Sequence, residues 1–139
     1  MGRRVCVLII EPNAHMRRLI STLMSAVPAH QVIEARTPQQ GASLAMEHSP
    51  HLVIMDWSDD PTEGVLFAHR LRRGEIGRAD VPILAISPSL HHAVLESAEG
   101  SGIDEIIAKP ISAVEIINRA TDLIETDRRR RELAELAAE

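Results

Sequence analysis

Five short apolar runs punctuate the chain, and between them lie longer segments in which apolar residues return at helical spacing. The runs cover residues 3–10, 31–36, 51–57, 81–87 and 104–109. The first alternates too little for a strand with one wet face and reads as a central strand covered on both sides. Asn13 is placed to cap a helix whose Met16, Leu19, Ile20 and Leu23 share a face, and Val27 and Pro28 stop it. Thr37 followed by Pro38 opens a second helix, with Ala42, Leu44, Ala45 and Met46, which Ser49 and Pro50 close. A third spans residues 62–73 with Val65, Leu66, Ala68 and Leu71. A fourth, weaker one covers 89–101 and ends at Gly100 and Gly102, and a last one starts behind Ser112 and carries Val114, Ile116, Ile117, Ala120, Leu123 and Ile124. Strands that alternate with helices in this way predict βα units, a parallel sheet and helices on both faces.

The stretch HLVIMDW ends abruptly in a carboxylate, Asp56, before the turn-forming residues that follow. Three other runs end the same way, at Glu11, Ser87 and Lys109. If the strands are parallel, two carboxylates, a hydroxyl and an ammonium converge on one edge of the sheet. Ligands of doubly wound sheets collect at that carboxyl edge.

Composition adjusts this picture in a few places. At 139 residues, 45% of them hydrophobic and 25% charged, the chain suits one globular core, which must be aliphatic because Trp57 and Phe67 are its aromatic residues. The lone Cys6 has no partner for an internal disulfide and points to a reducing compartment. Neither a membrane-length apolar run nor a signal-peptide cleavage pattern is present, so a cytoplasmic protein with no membrane contact is expected.

The four arginines at 128–131 are balanced by Asp127, Glu132, Glu135 and Glu139, so the whole net charge of −5 sits in residues 1–126. Such a body is a poor nucleic-acid binder. Lys109 is the single lysine of a chain that otherwise uses arginine. Its retention there suits a compact point charge in a tight site. The apolar stripe through Ile116, Ala120 and Leu123 would continue at Asp127, whereas Leu133 and Leu136 fall out of phase. The core-facing helix is therefore expected to end near Thr126, with a domain over 1–126 and a helical extension or linker over 127–139.

With Glu11, Asp56, Ser87 and Lys109 at these spacings, the chain resembles the receiver domain of two-component response regulators, of the chemotaxis-type single-domain kind, over roughly residues 3–125. The resemblance implies a flavodoxin-like α/β fold: a doubly wound five-stranded parallel sheet in the order 2-1-3-4-5 with five helices. It implies a phosphorelay function without enzymatic turnover. Asp56, followed by Trp57, matches the phosphoacceptor, and Ser87 and Lys109 match the phosphoryl-binding hydroxyl and ammonium. Glu11, Asp56 and the Ser58 backbone carbonyl match the Mg²⁺ ligands, and Glu63 with Gly64 matches the acid-glycine pair after the phosphoacceptor. Pro110 matches a proline that usually follows a cis bond. The partners implied are a sensor histidine kinase or phosphotransfer protein and a downstream protein met through the fourth helix, fifth strand and last helix. A homodimer through the last helix is also expected.

The departures fall on the groups that steady a phosphoryl group. Pro12 stands where a second metal-binding acid is usual, so a weakened Mg²⁺ site is expected. Pro88 has no N–H to offer a phosphoryl oxygen. The switch position three residues before the lysine holds Ile106 in place of an aromatic, and Asp59 and Asp60 replace the usual Met-Pro. Asp60 reads as a surface turn residue rather than a substitute metal ligand. A phosphorylation-independent pseudo-receiver used for docking or dimerisation is the alternative. A metal-dependent phosphatase is a distant third, since Ser58 occupies the place where a haloacid-dehalogenase-type enzyme needs a second aspartate. His15, His91 and His92 read as surface residues.

Overall fold

A computed structural model describes residues 4–58 and 61–139. Strands β1 (Cys6–Ile10), β2 (Gln31–Ala35), β3 (Leu52–Asp56), β4 (Ile83–Ser87) and β5 (Glu105–Ala108) form one sheet in the order β2-β1-β3-β4-β5. Every pairing is parallel, as βα alternation requires. The connecting helices are α1 (Ala14–Leu23), α2 (Pro38–His48), α3 (Thr62–Arg72), α4 (His92–Gly100) and α5 (Ala113–Ala137). A short 3-10 turn, Met24–Ala26, extends α1 toward Pro28.

Alternation along the strands builds two cores. Leu8 and Ile10 of β1 pack with Ala42, Ala45, Phe67, Ala68, Leu71 and Ala98 from α2, α3 and α4. Val7 and Ile9 face the other way, against Ile20 and Met24 and against Ile116, Ala120 and Ile124 of α5. A strand buried on both faces has no need of polar alternation, which is why β1 reads as a continuous apolar run. Among the described residues no helix is long and apolar enough to cross a membrane.

The edge of the sheet opposite its carboxyl ends is closed by side chains whose roles the sequence did not reveal. His30 Nδ1 accepts from the Val5 N–H and His51 Nδ1 from the Cys6 N–H, both at 3.0 Å. Arg72, at the end of α3, donates to the carbonyls of Ala79, Val81 and Gly102 and pairs with Asp104 at 2.8 Å. One guanidinium thus ties together the loops before β4 and β5. Gly102, at φ +79, supplies the left-handed turn that the second of these loops needs.

Helix α5 corrects the expected stop near Thr126, because it runs unbroken to Ala137. Nothing between residues 128 and 139 breaks a helix: the segment is Arg, Glu, Leu and Ala, all strong formers. The stripe does continue at Asp127, which is 2% exposed. Its carboxylate is accommodated by Arg78 at 2.8 Å and Arg131 at 3.9 Å. Leu133 and Leu136 are exposed.

Candidate functional site

Strand register sets the geometry of the carboxyl edge. Ile10 of β1 lies opposite Ala35 of β2 and Met55 of β3. The next residue on each strand, Arg36, Glu11 and Asp56, therefore forms one row across three strands. Ser87 pairs with Ala108 on β5, which puts Lys109 one step further along the same edge.

Lys109 Nζ bridges the two carboxylates, 2.8 Å from Asp56 Oδ1 and 3.3 Å from Glu11 Oε1. Burial pulls the ammonium toward its neutral form, but hydrogen bonds and coulombic attraction from Asp56 and Glu11 outweigh that and hold its pKa above the ordinary value. The expected cluster of two acids and a lysine is thus assembled. Asp56 Oδ2 makes no hydrogen bond among the described residues, and Asp56 lines a cleft of about 580 Å³.

Glu11 is 2% exposed and fully engaged. Its Oε1 meets Lys109, and its Oε2 accepts from the Asn13 N–H at 2.9 Å. Arg17 fastens the same loop from below, donating to the carbonyls of Glu11 at 2.9 Å and Pro12 at 3.4 Å, with Glu34 3.2 Å from its Nε. Asn13 in turn caps α1 by accepting from the Met16 N–H. The side chain expected to bind a metal therefore closes a turn and answers a lysine. Among the described residues no group of three or more His, Cys, Asp or Glu side chains is placed to hold a metal ion. Glu11 and Asp56, the two acids that the resemblance assigns to Mg²⁺, both meet Lys109 Nζ.

Ser87 is buried, and its hydroxyl is engaged by Ser89. Its hydroxyl donates to the Ser89 carbonyl at 2.7 Å and accepts from the Ser89 N–H at 3.3 Å. Its own carbonyl accepts from the Lys109 N–H at 2.7 Å. The Lys109-Pro110 bond is cis. Ile106 is half-buried and packs against the core shared with α3 and α4. Ser58 and Pro88 are exposed, while Asp59 and Asp60 lie outside the described residues. Gly64 is fixed by Trp57: a Cβ there would stand 3.3 Å from the indole Cζ3. His15, His91 and His92 are exposed, and His92 pairs with Glu96 at 2.8 Å on its own helix.

Arg17 and Arg36 are the site residues that sequence reasoning missed. The signal for Arg36 was its position one residue past the end of a strand, the same position as Glu11.

The chain is similar to known proteins in sequence and in fold. The chain is 27% identical over 113 residues to the phosphate regulon transcriptional regulatory protein PhoB of Pseudomonas aeruginosa, covering 81% of this chain and 48% of that one. It is 29% identical over 107 residues to protein-glutamate methylesterase/protein-glutamine glutaminase 1 of Myxococcus xanthus, covering 76% of this chain and 30% of that one. It thus spans about half or less of the length of these relatives. Among solved structures, the chemotaxis protein CheY4 of Vibrio cholerae superposes with a TM-score of 0.74 at 16% identity, over 88% of this chain and 99% of that one, a likeness of fold. The family model of the response regulator receiver domain matches residues 7–121, and with the five-stranded sheet and the strand-end acids it shows that the chain belongs to that family.

Proposed function

We propose that this receiver domain accepts a phosphoryl group on Asp56 and passes the signal on by protein contact. One observation carries the reading: Lys109 holds one carboxylate oxygen of Asp56 at 2.8 Å, and Asp56 lines an open cleft. That is an oriented nucleophile with a counter-charge beside it. Receiver domains are signalling modules rather than enzymes, and they typically bind Mg²⁺ at the phosphorylation site. Here the occupied Glu11 and the proline after it make the contribution of Mg²⁺ small.

Phosphoryl transfer asks little covalent chemistry of a protein. It needs an in-line nucleophile and neutralisation of the charge on the phosphoryl oxygens. Asp56 supplies the first and Lys109 part of the second. Ser87 joins only if its hydroxyl leaves Ser89 and turns toward Asp56. Pro88 adds no donor, so the phosphorylated state is held less firmly than a full set of donors would hold it.

The donor is a sensor histidine kinase or a phosphotransfer protein, and the output face is formed by α4, β5 and α5. Leu90, Leu95 and Val114 lie exposed on that side. A homodimer through α5 is a second mode of output. Intact mass after incubation with an acyl phosphate tests the reading. A one-phosphoryl adduct that is absent from Asp56→Asn is expected, and an adduct retained in that variant sinks it.

The second reading is a pseudo-receiver that docks or dimerises without phosphotransfer, in a cytoplasmic pathway. Glu11 favours it, because both of its oxygens are committed within the protein. Under that reading Asp56→Asn leaves partner binding unchanged.

A further inference from the structure

A phosphoryl group on Asp56 brings close to two negative charges to an edge that already holds Glu11. Lys109 answers part of that charge and is already shared between both acids. Each Glu11 oxygen already accepts a hydrogen bond, from Lys109 at 3.3 Å and from the Asn13 N–H at 2.9 Å, and Pro12 has no carboxylate. The next cation along the row is Arg36.

Arg36 stands two strands from Asp56, with Glu11 between them. At about 4.8 Å per strand the two backbones are roughly 10 Å apart, a gap that an arginine and a phosphoryl-aspartate span together. Both residues line the same 580 Å³ cleft, whose walls include Pro12, Thr37, Pro38 and Glu63. Arg17, Arg72 and Arg78 are tied to acids, whereas no acid pairs with the Arg36 guanidinium among the described residues. Its backbone N–H is held by Gln40 Oε1 at 2.8 Å, so the residue is anchored while its head is free. Glu63, the other acid of the cleft among the described residues, accepts from Gln39 at 3.2 Å. A guanidinium is the side chain best shaped for two phosphate oxygens.

We infer that Arg36 is the second cation of the phosphorylated site, binding phosphoryl oxygens from the cleft side while Lys109 binds from the other. It thereby takes over the neutralisation that a divalent ion provides elsewhere in the family. The inference rests on Asp56 as phosphoacceptor. With an acyl phosphate as donor, an Asp56 oxygen forms the new O–P bond as the bond from phosphorus to the acyl oxygen breaks. The carboxylate leaves with the electron pair, and no proton is transferred.

The test measures adduct formation on the full chain by intact mass, with acetyl phosphate, in EDTA and in millimolar Mg²⁺. Wild type is expected to be labelled in EDTA at a rate within about threefold of that in Mg²⁺. Arg36→Gln should be slower by about tenfold or more under both conditions, the loss expected for a charged hydrogen bond to a phosphoryl oxygen. Arg36→Lys should recover much of the rate, and the melting temperatures of all three should agree. Labelling that needs Mg²⁺, or that is unchanged in Arg36→Gln, overturns the inference and leaves Asp56 as acceptor. If no adduct forms, the acceptor reading itself fails. Calorimetric titration with inorganic phosphate in EDTA then judges Arg36 alone: binding lost in Arg36→Gln supports an anion site, and absence of binding in wild type overturns it.

Discussion

Truncating Arg78 to alanine should destabilise the fold far more than a surface arginine normally does. Arg78 Nη2 meets Asp127 Oδ2 at 2.8 Å, and Asp127 is 2% exposed with its Oδ1 unpartnered. The other cation within ion-pair distance is Arg131, at 3.9 Å. Removing one partner of a buried pair costs about 3–5 kcal/mol, because the remaining charge is stranded. The Arg78 side chain is 31% exposed, so water softens the loss, and about 2–4 kcal/mol is the expected range. For a domain of this size that lowers the melting midpoint by about 10 °C. Urea and thermal unfolding followed by circular dichroism measure it. Adding Asp127→Leu to Arg78→Ala should restore most of the loss, since the position continues the apolar stripe of Ile116, Ala120 and Ile124. An Arg78→Ala variant within about 0.5 kcal/mol of wild type, or a double variant no better than the single, refutes the reasoning.

Alkaline unfolding should report two groups. The pKa of Lys109 is raised, so its ion pairs stabilise the fold below its ordinary 10.5 and that contribution fades as pH rises through the folded value. Lys109→Met should flatten this limb in a pH series of urea midpoints. Burial raises the Cys6 thiol above its ordinary 9.0, so stability falls from about pH 9 upward, and Cys6→Ala should remove that earlier component. Gly41→Ala should cost about 1–3 kcal/mol despite alanine's better helix propensity, because the new Cβ would stand 2.8 Å from Ile10 Cγ1 in a packed core; a stabilised variant in thermal melts contradicts this. Arg72→Ala should cost about 2–4 kcal/mol by exposing the carbonyls of Val81 and Gly102, with amide hydrogen exchange rising first in the loops before β4 and β5.

The signals that survive in a sequence are those whose partners are near in the chain. Asn13, Thr37 and Ser112 were legible as caps because each serves a backbone N–H three residues on, and each does so here. Strands β1, β3 and β4 were legible because burial on both faces leaves continuous apolar runs. Asp56, Glu11 and Lys109 were placed by strand ends alone, and the structure brings their charged atoms into contact. What sequence could not show depends on register and on distant partners. Asp127 looked like the end of a stripe because its counter-ion lies 49 residues away. Glu11 also accepts from the Asn13 N–H through a local turn that apolar periodicity does not encode. The row that joins Arg36 to Glu11 and Asp56 came from the strand register, which pairs Ile10 with both Ala35 and Met55.

Helix α5 is held at two places about 22 Å apart: at Ser112, just after Lys109 and Pro110, and at Asp127 on Arg78. Between them Ile116, Ala120 and Ile124 are buried in the core, so the helix is bound to the body along that whole length. Beyond Asp127 the same helix carries exposed Leu133 and Leu136, and the ion pair with Arg78 marks the boundary between the packed part of the rod and the part that projects.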